Sequence, residues 1–510
     1  MKRQTLQLHS CAPDLISTDA PPEVWTNCKN VFFRDGQTIR TSGDTPTLPG
    51  ATLPIEVLVY TEFYGVGFWV YCNKSNVYVH NGATQYDITP TGWAHGDDAV
   101  YTGDVINGLV VINSSLQAPC YWNGETATKA QYLPDWPSGR HCRALRAHKN
   151  FLFAIGMTDT GGNECLWSDA AGPGEIPPSW TASTATLAGS VNLAPMFESC
   201  IDAMGLRDDL LIYKRTSVWA CSFIGGNDVF AFRILFAETG LAGTNAICRS
   251  QNDQHLFVTT VGDIFLTDGV RAQSILQGRA DRTFASGFTS EYTRRVFSVA
   301  VQRANLALVF FGAPGETLPN NCLVYDFTSG DISFRTASSP RCAAEGSMLL
   351  EVGPDANAWD ADPNGWDTDG TIWQVQMSEK TNSDVLFANS RGVFGISQPA
   401  DSFCDGEIIA WAEKLGLQFQ AGGRVTVMAL WPKVEGQDGE IVWFNVATQE
   451  VAEGPATYSP DLQFVIGQTV KLDVMMQGRY IGISVYGDGQ APHQWRLGSI
   501  DVDFEDAGRW

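Results

Sequence analysis

The chain is 510 residues long, 44% apolar and 11% aromatic, which excludes a disordered polypeptide and leaves room for more than one core. Its 33 basic and 56 acidic residues give a formal charge of −23, which excludes a protein that grips nucleic acid through phosphate, since that affinity comes from basic surface and counterion release. Charged residues total only 17%, below the roughly 25% of an average soluble chain, and this suits a surface that meets other chains.

The N-terminus, MKRQTLQLHSCAPDLI, opens basic but continues polar, without the apolar core of a signal peptide, so synthesis and assembly in a cytoplasm are expected. The twelve cysteines lie no closer than Cys11 and Cys28, and no Cys-x-x-Cys exists for zinc or redox work. Reduced, buried thiols acting as small hydrophobes are expected. Two long uncharged stretches, 105–124 and 176–197, carry Pro, Asn, Ser and Thr, so no membrane span is expected.

Helix signals are scarce, and short β-branched and aromatic runs between Gly, Asn and Asp turns predict an all-β chain. From about 57 to 345 one unit recurs six times: an aliphatic strand, a polar turn, and a second strand that often ends in Asn-Gly or Asp-Gly. The copies are 57–82, 105–124, 147–169, 206–223, 250–269 and 303–327, and they start every 42 to 59 residues. That spacing fits a four-stranded propeller blade of roughly 40–50 residues, with hairpins in sandwich domains as the competing reading. A β-propeller of about six blades is expected over 51–400, after an N-terminal extension, 1–50, with a strand that joins the propeller. The segment 351–370 carries six acids and no base and reads as a loop, and strands at 371–377 and 385–397 could complete the propeller. From about 403 the alternation of Val425, Val427, Ala429 and Trp431, and of Ile500, Val502 and Phe504, predicts a C-terminal β-sandwich over 401–510.

Reactive constellations are sparse. There is no G-x-S-x-G, H-E-x-x-H or G-x-x-x-x-G-K-[ST], and the seven histidines, at 9, 80, 95, 141, 148, 255 and 493, are scattered. Satisfied structural histidines, no catalytic residue and no cofactor are expected. Asp360, Asp362, Asn364 and Gly365 have the D-x-D-x-N-G opening of a calcium loop, in which alternate carboxylates converge on one hard cation. Thr371 stands where the bidentate Glu belongs and Pro363 interrupts the loop, although Asp367 and Asp369 could serve as ligands; a solvated acidic loop is the expectation. These acids could also be read as a glycosidase pair, but that needs two carboxylates flanking a bond in a cleft. The sialidase-type Asp-box is missing, and WSDAAGPGE (167–175) resembles it only superficially.

The segment PPEVWTNCKNVFFRDGQTIRTSG (21–43) resembles the start of the tail nozzle proteins of short-tailed bacteriophages, also called tail hub or packaged-DNA stabilisation proteins. Pro21, Pro22, Trp25, Asn30, Val31, Phe33, Asp35, Gly36 and Gly43 carry the likeness. It continues in order through 166–180, 208–226 with 229–235, 262–269, the Trp-Asp repeats at 359–369, 478–487 and 495–510. Trp510 after Gly508-Arg509 departs from the family's usual second basic residue. The resemblance implies a virion protein that forms a homohexameric ring below the tail adaptor. Such a ring would channel and retain phage DNA without binding it specifically and would hold needle, fibre or tailspike proteins. Asp360, Asp362, Asp367 and Asp369 are then candidates for an acidic loop at the lumen or an interface, repelling phosphate. The rival expectations are a host-glycan-binding tail protein and a propeller-type glycan depolymerase.

Overall fold

The computed structural model describes residues 1–63, 65–96, 98–193, 198–288, 295–313, 315–347, 383–396, 402–487 and 495–509. Seven four-stranded antiparallel sheets follow one another along the chain. Their first strands are Val57–Phe63, Tyr101–Ile106, Cys142–His148, Cys200–Leu206, Ile247–Arg249, Phe297–Val301 and Cys342–Ser347. Each first strand packs on the next around a closed circle, and the seventh packs on the first. This is a β-propeller whose blades are numbered 1 to 7 in that order.

The repeating unit of the sequence holds the second and third strands of blades 1 to 6, together with the first strand in the copy at 57–82. Its Asn-Gly and Asp-Gly signals are the turns into the outermost strand, where Gly82, Gly124 and Gly269 take φ of 99°, 94° and 86°. The preceding side chain caps the turn: Asn81 Oδ1 accepts from Ala83 N and Thr84 N, and Asp268 Oδ1 accepts from Val270 N and Arg271 N.

The six repeats become seven blades. Blade 7 takes Cys342–Ser347, Ser383–Ala388 and Val393–Gly395, and its outermost strand is Thr45–Thr47 from the far end of the sequence. A final blade completed by an N-terminal strand has no free end at the seam. Closure is tight there: a Cβ on Gly346 would lie 2.5 Å from Tyr60 Cβ and 2.7 Å from Trp69 Cζ2. Trp69 Nε1 donates to Ser347 O at 3.1 Å across the same seam. The 371–377 segment lies outside the described residues.

The second unit is a sandwich of two six-stranded sheets, and the N-terminal fifty residues divide between it and the propeller. Lys2–Leu6, Val31–Arg34 and Gln37–Arg40 join the sheet built on Gly423–Glu435 and Arg496–Arg509. Asn27–Lys29 joins the sheet that holds Trp411–Leu417 and Tyr480–Gly487. Val425, Val427, Ile500, Val502 and Phe504 fill the core between the sheets, with Trp25, Val31 and Phe33 from the N-terminal segment.

Candidate functional site

The N-terminal motif is the joint between the two units. Trp25 is fully buried and donates from Nε1 to Thr38 Oγ1 at 2.9 Å. Asp35-Gly36 forms the turn between Val31–Arg34 and Gln37–Arg40, with φ of 53° and 70°. Asn30, also at positive φ, bridges the units: its Nδ2 donates to Ile409 O and its Oδ1 accepts from Thr336 N of blade 6 at 2.7 Å. Nearby, Asp44 is buried against the guanidinium of Arg335 at 2.6 Å and also accepts from Ser338 Oγ and Cys404 N. Asp14 caps the short helix Asp281–Ser286 through Thr283 N and Oγ1, tying the N-terminal segment to the chain between blades 5 and 6.

Within the propeller, one polar cluster ties the inner strands of blades 2, 3 and 4 to the segment that enters blade 5. Arg146 of blade 3 donates from Nε and Nη2 to the two oxygens of Asp202 in blade 4, both at 2.7 Å. Its Nη1 reaches Gly103 O of blade 2 at 3.1 Å and its Nη2 reaches Asn245 Oδ1, just before blade 5, at 2.7 Å. Asp202 is fully buried and accepts further from Ala203 N and Asn245 N. Asp104 of blade 2 accepts from Ala147 N at 2.9 Å.

Burial works against the charge on Arg146, but the Asp202 carboxylate outweighs it and holds the guanidinium charged beyond its usual range. Burial raises the Asp104 carboxyl, against the pull of Arg146. Bidentate pairing plus two backbone donors occupies the lone pairs of Asp202, so it has no room to activate a water. A side chain from blade 3 thus touches blades 2 and 4 and the segment that enters blade 5.

A cleft of about 270 Å³ opens between the sandwich, blade 6 and the short helix before it, lined among others by Asn27, Lys29, Thr283, Asn321, Phe334 and Trp411. None of the described residues lining it is an Asp, Glu or His. It therefore lacks the carboxylate pair of a glycosidase, while its half-buried Trp411 and amides could stack on and hydrogen-bond a small polar ligand.

Asp360, Asp362, Asn364, Asp367 and Asp369, the candidate calcium and lumen residues, lie outside the described residues. Among the described residues no group of three or more His, Cys, Asp or Glu is placed to hold a metal ion. Burial lowers the pKa of His80, His148 and His255, and His255 falls to about 4. Each sits at a structural joint: His255 Nε2 lies 3.0 Å from Gly205 O and Nδ1 lies 2.9 Å from the Tyr213 hydroxyl, tying blade 5 to blade 4. All twelve cysteines are free and ten are buried, and burial pushes Cys120, for example, up to about 12. No helix among the described residues is long and apolar enough to cross a membrane.

The axis cluster escaped the sequence reading, although a signal for it exists. Leu145 N to Thr102 Oγ1, Ala147 N to Asp104 and Asn245 N to Asp202 each span 43 residues, one blade period. Polar residues at matched places in successive repeats mark bonds between inner strands.

No family model and no curated relative matches the chain. Solved structures align with it at low identity. PorZ, a surface component of the type-IX secretion system of Porphyromonas gingivalis, aligns over 74% of this chain and 42% of its own length, at 10% identity and a TM-score of 0.36. The extracellular domain of a hybrid two-component system protein from B. thetaiotaomicron aligns over 83% of this chain and 48% of its own, at 9% identity and a TM-score of 0.41. Virginiamycin B lyase from Staphylococcus aureus aligns over 62% of this chain and 96% of its own, at 12% identity and a TM-score of 0.32. This chain thus spans less than half the length of the first two. The chain itself is an all-β propeller with an attached β-sandwich.

Proposed function

We propose that the chain is a structural protein of a short-tailed bacteriophage virion, the subunit of a nozzle or hub ring that channels and retains DNA and anchors distal tail parts. The observation that carries this reading is the ordered resemblance along nearly the whole sequence, from Trp25, Asn30 and Phe33 to the closing strand at 495–510. The work done by the resembling N-terminal residues supports it, because Asn30 ties sandwich to propeller while Trp25 and the Asp35-Gly36 turn build the sandwich beside that joint.

In the proposed assembly the conduit for DNA lies between subunits, on a shared axis. Copies of charge −23 would line it with a net repulsion for phosphate, and DNA would slide without sticking. The protein acts in this reading by shape and charge, as a non-enzyme, with itself, the adaptor, and needle, fibre or tailspike proteins as partners.

A ring reconstruction by electron microscopy tests the reading: an acidic lumen between subunits is expected, and a basic one refutes the mechanism. The cleft with Trp411 favours host-glycan binding as a second reading. Glycan-array binding that vanishes in Trp411→Ala would support it, and release of reducing sugars from host polysaccharide would replace both readings with a depolymerase.

A further inference from the structure

Two of the free cysteines meet across the boundary between blades 3 and 4. Cys165 lies on the third strand of blade 3, and Cys200 opens the inner strand of blade 4. Both are fully buried in one apolar cluster, which also holds Cys221. Backbone contacts fix Cys200 against the blade 3 hairpin. Its N donates to Gly162 O at 2.7 Å, and its Sγ lies 3.8 Å from Asn163 O. The fit is close, since a Cβ on Gly156 of blade 3 would lie 2.6 Å from Cys200 O.

A buried amine completes the cluster. Lys214 stands directly opposite Cys200 in the strand register, so the two side chains share one face of blade 4. It is fully buried and donates from Nζ to Leu193 O at 2.7 Å. The Cys165 thiol faces the Cys200 sulfur and pulls it below the usual thiol range; burial opposes this and the Lys214 ammonium assists. Cys165 is pushed well above that range, first by Cys200 and then by burial. Such a pair offers a nucleophilic thiolate at Cys200 and a protonated resolving thiol at Cys165. On the residue whose carbonyl faces Cys200, Asn163 Oδ1 is buried with no hydrogen-bond partner, an acceptor for the O–H of a small polar oxidant.

We propose that Cys165 and Cys200 are a redox-active dithiol that hydrogen peroxide converts to a disulfide stapling blade 3 to blade 4. The Cys200 thiolate attacks one peroxide oxygen, the O–O bond breaks, and Cys200 becomes a sulfenic acid. The departing hydroxide takes up the proton that the Cys200 thiol had released. The Cys165 sulfur then attacks the sulfenic sulfur, the S–O bond breaks, and the oxygen leaves as water with the Cys165 proton. Two thiols and one peroxide give one disulfide and two waters, each sulfur losing one electron. Hydrogen peroxide is little larger than water, so small local openings of the fold admit it. The inference stands independently of the ring reading.

The test treats the full-length protein with hydrogen peroxide, unfolds it in N-ethylmaleimide, and maps it by mass spectrometry without reduction. The expected result is the loss of two alkylatable thiols from the twelve and a peptide pair joined at Cys165 and Cys200. The melting temperature should rise by about 4 °C or more, and dithiothreitol should reverse the rise. Cys165→Ser should halt the reaction at a Cys200 sulfenic acid that dimedone traps. Lys214→Met should move the pH midpoint of the peroxide rate upward, a shift that lost packing alone would not give; Glu198 and Cys221, the other titratable groups near the cluster, remain in that variant. Twelve thiols still alkylatable after peroxide overturn the proposal. So does a cross-link at Cys11 and Cys28, the other facing pair, in place of this one, or Cys200 driven to sulfinic acid without a cross-link. A cross-link that leaves the melting temperature unchanged overturns the staple.

Discussion

Replacing Arg146 by Met removes four hydrogen bonds and one buried positive charge while keeping most of the side-chain volume. Asp202 is left fully buried with only the backbone donors of Ala203 and Asn245, and Asn245 Oδ1 and Gly103 O lose their donor. Breaking a buried ion pair from one side costs about 3–5 kcal/mol, because the remaining charge is desolvated and uncompensated. At about 2 °C per kcal/mol for a unit of this size, the melting temperature falls by about 6–10 °C.

Guanidinium unfolding followed by tryptophan fluorescence, with a thermal melt in parallel, measures both. The double variant Arg146→Met, Asp202→Asn removes the stranded charge and should recover at least half of the loss. A loss below about 1 kcal/mol in Arg146→Met would refute the view that this cluster locks the inner strands of blades 2 to 4 to the entry of blade 5.

Three further outcomes follow from named contacts. His255 is held neutral with its pKa near 4, so the folded state binds fewer protons than the unfolded one between pH 6.5 and 4. Stability falls as pH drops through that window, by about 3 kcal/mol from this residue, and His255→Gln should flatten that part of the stability–pH curve. Gly346→Val puts atoms into the seam of the ring at Tyr60 and Trp69 and should cost about 1–3 kcal/mol by thermal melt, with Gly346→Ala intermediate. Asn30→Ala strands Thr336 N and should cost about 1–3 kcal/mol, and limited proteolysis should then release sandwich from propeller faster than in the wild type.

What could be read in the sequence were features repeated locally. Alternating apolar residues such as Val425, Val427 and Ala429, and Asn-Gly turns such as Asn81-Gly82, write strand and turn into adjacent positions, so the blades and the sandwich were visible. Partnerships across hundreds of residues were not. Thr45–Thr47 completes a blade with Val393–Gly395, and Lys2–Leu6 pairs with the last strand, and neither short segment shows its partner in its own composition. Blade 7 was obscured because its first two strands, Cys342–Ser347 and Ser383–Ala388, are separated by far more sequence than in any other blade. The site was harder still, because Arg146, Asp202 and Asn245 look like surface residues until successive blades bring them together.

The ring itself is the central claim, and the mass and symmetry of the purified particle test it most directly. Mass photometry with negative-stain images is expected to show a closed six-fold collar near 330 kDa, about six chains of 55.6 kDa, with a central hole between subunits. A particle that stays at one chain's mass beside its tail neighbours, and that turns over a polysaccharide, would contradict the account.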